Sequence, residues 1–273
     1  MKVYVSVDIE GVACVAAPSE TDIGQPAEYG PFREQMSREA AAACEAAFAA
    51  GADAVVVKDA HATGRNIDPR LLQTPQGRQL ELIRGWSGHP FAMVQGLDDS
   101  FDAVVFVGFH SAAGSDGSPL AHTVNGRLFT AVRLNGEPAS EFRLYAMAAA
   151  SVGVPVVFVS GDDALCGEAR RLIEGIGAVA VLQGSGQSVR SVLPGEATRR
   201  IREGVERAIT SPCTSRIDVP PRLSFVLEFA KAADAYARSF YPGVQQISPR
   251  ELQLDTNRLM DVLTFLRFAA RYQ

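Results

Sequence analysis

The chain has 273 residues, 47% of them hydrophobic and 21% charged, with a net charge of -5 at neutral pH. That length can bury a large core without disulfide staples. The acidic balance and the lack of any Lys/Arg run argue against a nucleic-acid partner. The densest basic stretch, Arg199-Arg200 with Arg202, is interleaved with Glu196, Glu203 and Glu206 and reads as a solvated helix face. Four scattered cysteines (Cys14, Cys44, Cys166, Cys213) form no CxxC pair, which fits reduced thiols better than a disulfide framework or a zinc finger. The first residues enter a strand pattern directly, without the apolar length of a signal peptide, and no apolar run approaches a membrane span. A cytoplasmic protein with no membrane partner is expected.

Taken in chain order, Val-rich strand candidates fall at 3–7, 54–57, 103–107 and 155–159, with a weaker one at 178–182. Their nearly continuous apolar character suits strands covered on both faces. An Ala-rich helix is predicted between the first two, over 32–50, stopped by Gly51. Further helices are predicted over about 164–174, opened by Asp162-Asp163 as caps, and over about 194–209. Turn formers at Ser211-Pro212-Cys213-Thr214 and Val219-Pro220-Pro221 then interrupt the pattern. A strand over 223–229 and a helix over about 257–272 follow, with Asp255-Thr256 as its cap. The expected fold is α/β, with a largely parallel central sheet flanked by helices and a small C-terminal α+β portion. The catalytic unit is expected over 1–212 and the C-terminal portion over 213–273, either as a separate lobe or as the end of the same domain.

Three of these strands end on metal-type ligands. The first runs into Asp8-Ile9-Glu10-Gly11, the second into Asp59-Ala60-His61, and the third into Gly108-Phe109-His110. Sites in open parallel sheets form outside the carboxyl ends of the strands, so carboxylate and imidazole groups should meet at one edge. Mixed oxygen and nitrogen donors without thiolate suit zinc, manganese or a similar ion. Asp8 and Glu10, two apart in an extended segment, would point to one side. Such a pair could serve two adjacent ions of a hydrolytic site. Each feature alone has a plainer reading: Asp and Gly turn chains, and a lone histidine after a strand is usually structural. Their coincidence, in a chain with four histidines, favours the site. His122 follows His110 across a Gly/Ser-rich loop and could handle a proton or steady an oxyanion. His89 sits in a turn and is taken as structural. Asp59 could orient His61 or cap a turn. Arg65 is the clearest nearby cation for a substrate carboxylate. Glu141 lies in an ordinary polar stretch with Glu137 and does not stand out.

Ser6-Val7-Asp8-Ile9-Glu10-Gly11 resembles the S-x-D-x-E-G signature of the M55 peptidases, the D-aminopeptidases encoded with dipeptide transporters. The likeness continues through Asp59-Ala60-His61, Met93-Val94-Gln95-Gly96-Leu97-Asp98, Gly108-Phe109-His110 and Ala121-His122-Thr123. It then runs through Asn135-Gly136-Glu137-Pro138 with Glu141, Gly161-Asp162-Asp163 and Glu228-Phe229-Ala230. The resemblance implies a metallo-aminopeptidase with two zinc ions per chain, acting on short peptides with an N-terminal D-residue, D-Ala above all. Position by position it implies Asp8, Glu10, His61, His110 and Glu141 as metal ligands, Asp8 bridging, and His122 as the catalytic histidine. It also implies a self-compartmentalising homodecamer. The chain departs from the family pattern in the loop before His122, one residue longer, and at Val124-Asn125-Gly126, which bears on substrate preference. A metal-dependent amidase for another peptidoglycan-derived peptide is the alternative, followed by a non-catalytic metal- or ligand-binding protein. A phosphoesterase ranks lower, because no Gly-rich phosphate loop or Lys/Arg cluster accompanies the strand ends.

Overall fold

The computed structural model describes residues 1–211, 213 and 215–271; Pro212 and Thr214 of the expected break, and Tyr272 of the expected last helix, lie outside them. The chain builds an α/β fold on a seven-stranded sheet. Its strands are β1 (Lys2–Val7), β2 (Ala54–Asp59), β3 (Gln79–Ile83), β4 (Ala103–Phe109), β7 (Val156–Asp162), β8 (Gly177–Ser185) and β9 (Ser188–Ser191), in the spatial order β3-β2-β1-β4-β7-β8-β9. All neighbours pair in parallel except β8 with β9. From β1 the chain winds outward through β2 to β3; it then returns to β4 on the other side of β1 and continues to β7 and β8. The order therefore reverses between β1 and β4, and a crevice opens at the carboxyl ends of these two strands.

Alternation along the strands divides the core in two. Val3, Val5, Val105 and Val107 face one way, with Ala40, Ala43 and Ala47 of α1 (Pro26–Ala49) and Ile201 and Val205 of α4 (Pro194–Thr210). Tyr4, Val104 and Phe106 face the other, with Phe142 of α2 (Glu141–Ser151), Leu165 of α3 (Asp163–Leu172) and residues of a second sheet. That sheet is antiparallel, ordered β11-β12-β10-β5-β6 from Val244–Gln246, Glu251–Thr256, Leu223–Phe229, Phe129–Leu134 and Glu137–Pro138. The short α5 (Ala232–Arg238) and the final α6 (Leu259–Arg271) complete the chain. The smaller sheet thus joins residues 129–138 to residues 223–256, pairing β5 directly with β10.

Two local points bear on the sequence expectation, and both have simple causes. α1 begins at Pro26 rather than at 32, because Pro26 occupies the first turn, where a missing N–H costs nothing, and Pro31 is carried inside the helix. The helix ends as expected: Gly51 adopts φ +97 and donates to the carbonyl of Phe48. All four cysteines are free, with Cys44 and Cys166 buried.

Candidate metal centre

The crevice between β1 and β4 gathers every ligand named from the sequence. Asp8, Glu10, His61, His110 and Glu141 are all buried there. β1 ends at Val7, so Asp8 and Glu10 share a side because of a turn rather than strand alternation: Asp8 accepts from the Ile9 N–H (2.9 Å), and the Val12 N–H returns to the Ile9 carbonyl (3.1 Å). Gly11 lies on the end of β4. Its N–H donates to the Gly108 carbonyl (2.9 Å), and a Cβ on Gly11 would fall 1.8 Å from the Phe109 carbonyl oxygen. The glycine of the signature is there for this close approach. Ser6 supports the site from one side, since its hydroxyl donates to the Met93 carbonyl (2.7 Å) and holds the turn that walls the crevice.

The two oxygens of Asp8 serve different neighbours. Oδ1 lies 3.3 Å from Nδ1 of His61, which is itself 3.0 Å from Oε2 of Glu10. Oδ2 lies 3.6 Å from Nε2 of His110, which is 3.6 Å from Oε2 of Glu141. Two donor atoms bound tetrahedrally to one zinc ion at 2.0–2.1 Å stand about 3.4 Å apart, so the four separations have the size of ligand–ligand edges.

Hydrogen bonds fix which imidazole nitrogens face inward. His61 donates from Nε2 to the Thr21 carbonyl (2.9 Å), His110 from Nδ1 to the Ser111 carbonyl (3.0 Å), and His122 from Nδ1 to the Leu120 carbonyl (2.8 Å). Each other nitrogen therefore turns a lone pair toward carboxylate lone pairs, an arrangement that needs a cation between them. Among the described residues, Glu10 Oε2 and His110 Nε2 are buried without a hydrogen-bond partner, as atoms reserved for such a cation would be. Protonation tells the same story. Burial and the adjacent Glu10 push the Asp8 carboxyl well above the usual range. Burial disfavours charge on His61 and His110, yet the neighbouring carboxylates overcome it. Glu10 leads in raising His61 well above normal, and Glu141 leads in raising His110 to about 10. Without an ion the cluster must hold protons; divalent cations would displace them. The donor set fits zinc.

Glu141 is the first residue of α2, capped by Ser140, whose hydroxyl accepts from the Arg143 N–H (3.0 Å). Its Oε1 accepts from the Val124 N–H, a contact that holds Val124 at φ +65, unusual for a β-branched residue. His122 stacks on His110 with ring centroids 4.3 Å apart and sets Nε2 3.8 Å from Glu141. Unlike the five buried candidate ligands it is partly exposed, and it lines a cavity of about 330 Å³ shared with Asp8, Glu10, His61 and Glu141.

A family model described as D-aminopeptidase, that of the M55 peptidases, matches residues 1–268. The chain belongs to the M55 D-aminopeptidase family. It is thereby a metallo-aminopeptidase. The D-aminopeptidase of Bacillus subtilis (strain 168) is 32% identical over 250 residues, which cover 90% of this chain and 87% of that protein. The solved structure of the Zn-dependent D-aminopeptidase DppA from Bacillus subtilis, a self-compartmentalizing protease, superposes with a TM-score of 0.90 at 28% identity, covering 100% of this chain and 99% of that one.

Other residues in this M55 chain support the candidate ligands from behind. Asp59 does not touch the His61 ring; it accepts from the Asn66 and Ile67 N–H groups, and the Asn66 amide donates to the His61 carbonyl (2.7 Å). Of its two expected roles it takes the turn-capping one and braces the loop. Asp162 caps α3 through the Leu165 N–H (2.8 Å) and also takes both the N–H and the hydroxyl of Ser111 (2.6 Å each), fixing the residue next to His110. Arg65 is exposed and does not line the cavity. Arg267, Trp86 and Tyr145 do. Tyr145 had a usable signal: it lies one helical turn beyond Glu141 on the same face. Arg267 and Trp86, far apart in sequence, had none.

Proposed function

We propose that the chain is a zinc-dependent aminopeptidase that removes an N-terminal D-residue, D-Ala in preference, from short peptides. In this reading two divalent ions per chain are held by Asp8, Glu10, His61, His110 and Glu141. The observation that carries it is the division of Asp8, with Oδ1 toward His61 and Oδ2 toward His110. Ions held by these residues would supply Lewis acidity, lowering the pKa of a water and polarising a carbonyl.

The chain's own residues supply the rest. Asp8 fixes the spacing of the two ligand groups, and the backbone carbonyls of Thr21 and Ser111 fix the two imidazole planes. His122, its Nδ1–H held by Leu120, presents Nε2 to take a proton from the attacking water and return it to the leaving amine. Ala92, Met93 and Val124 form apolar wall beside these groups and limit water. We place the enzyme in the cytoplasm, in keeping with its four free cysteines. We also read it as a homodecamer, by analogy with the self-compartmentalizing relative.

The test is a paired assay of amino-acid release from D-Ala-D-Ala and L-Ala-L-Ala, with metal content measured on the same sample. Cleavage of the D-peptide alone, by protein carrying close to two ions per chain, is expected. Protein that binds no metal when zinc or manganese is supplied, or that cleaves only the L-peptide, would overturn the reading. Sedimentation of the same sample tests the assembly.

A further inference from the structure

The cavity lining carries both signs of charge. Three carboxylates and two imidazoles line it, from Asp8, Glu10, Glu141, His61 and His122; among the described lining residues the one Lys or Arg is Arg267, from α6. Its guanidinium carbon sits 5.3 Å from the centroid of the Trp86 ring, which also lines the cavity and is anchored by its own Nε1–H on the Ala62 carbonyl (2.7 Å). A planar cation held against an aromatic face is pre-organised for a carboxylate. Lys58 sits against the same ring (4.0 Å), but it is fully buried, and its ammonium is engaged by the carbonyls of Asp59 and Gly85. It adds positive potential without reaching the cavity.

We propose that Arg267, backed by Trp86, binds the free terminal carboxylate of the substrate and so selects very short peptides. The inference rests on the peptidase reading of the site. A zwitterionic dipeptide would place its amine end toward the metal centre and its carboxylate toward Arg267. Size agrees: an extended dipeptide spans about 7 Å, while a sphere of the cavity's volume is about 9 Å across. Selection for short chains would thus be built into each subunit.

The experiment compares D-Ala-D-Ala with its C-terminal amide as substrates for the zinc-loaded protein, for Arg267→Met and for Arg267→Lys. Loss of a charge-assisted contact should lower kcat/KM for the free acid about 10- to 100-fold, mainly through KM, and leave the amide within about threefold. Arg267→Lys should recover part of the loss. Trp86 is the single tryptophan of the chain, so its fluorescence gives a readout independent of turnover. N-acetyl-D-alanine should give a saturable change and N-acetyl-D-alaninamide should not. Wild-type protein that treats acid and amide alike in both measurements overturns the proposal, as does equal loss on both substrates in Arg267→Met. If the wild type cleaves neither D-substrate, the peptidase reading falls, and the fluorescence titration still decides whether Arg267 holds a carboxylate.

Discussion

Substituting Gly11 with alanine should disable the enzyme without touching a ligand. The added Cβ would stand 1.8 Å from the Phe109 carbonyl oxygen and 2.6 Å from its carbon, where real Cβ contacts essentially never fall below 3.0 Å. The turn carrying Asp8 and Glu10 must therefore move from the end of β4 by at least about 1.2 Å, the difference between 3.0 and 1.8 Å. Both obstructing atoms are backbone, so no side-chain rotation relieves the clash. Overpacking of this kind costs about 3 kcal/mol, a drop in Tm of roughly 5–10 °C for a chain of this size. The functional loss should be larger. Asp8 and His110, on opposite sides of this junction, meet at 3.6 Å, and metal sites tolerate only about 0.2 Å of error in ligand distance. Misplacement by an ångström costs about 100-fold in rate. Bound zinc by elemental analysis, kcat/KM on D-Ala-D-Ala and Tm by calorimetry should all fall in Gly11→Ala. In Gly30→Ala, where a Cβ in α1 meets nothing within 4 Å, all three should hold or improve. A Gly11→Ala protein with full zinc and at least half the wild-type activity would refute the coupling of the signature glycine to the ligand spacing.

Three further outcomes are expected. Asp8→Asn should lose most zinc from both ligand groups, whereas Glu141→Gln, outside the His61 and Glu10 group, should retain roughly one ion per chain; equal loss in the two variants would show that Asp8 does not join the groups. His122→Ala should keep its metal content and lose about 10²- to 10⁴-fold in kcat; a variant that is fully active once saturated with metal would remove His122 from the mechanism. Glu39, buried in α1 and bonded to the Ala13 N–H (3.1 Å) and the Gln35 amide (3.0 Å), is pushed up to about 7 by burial. The folded state therefore holds this proton more tightly than the unfolded chain, so the contribution is full below about pH 4.5 and is lost as pH rises through about 7. Glu39→Gln should gain on the wild type across that window by on the order of 3 kcal/mol, read from urea unfolding at fixed zinc. A wild-type-minus-variant difference that stays flat from pH 5 to 8 would contradict it.

Asp8, His61 and His110 are legible in the sequence because each closes a Val-rich run, and the parallel sheet converts that one-dimensional regularity into a common edge. Glu141 is not. Its place in the site depends on how α2 packs beneath β4, a tertiary fact, and only the family likeness points to it. α2 itself carries a local signal, Ser140 before a run rich in Ala, Leu and Met. The smaller sheet is harder: β6 and β11 are two and three residues long, and β5 pairs with β10 far along the chain, Leu134 opposite Phe225. Pairings of that kind leave no periodic trace. Arg65 is close to His61 along the chain, yet the cavity wall is completed from the other end of the molecule by Arg267.

The carbonyl anchors behind His61, His110 and His122 shape how this centre can evolve. Where a carboxylate side chain steadies a metal-binding imidazole, one mutation can delete the support, and its negative charge makes the ring a stronger electron donor. Peptide oxygens offer neither handle. They survive every substitution at Thr21, Ser111 and Leu120 that leaves the loop path unchanged, so the tautomers are written into the course of the chain. Being uncharged, those behind His61 and His110 would also make these rings weaker donors, so that a zinc ion held by them would be more electron-poor. Tuning by point mutation is thereby shifted away from the imidazoles and onto the carboxylates and the cavity wall.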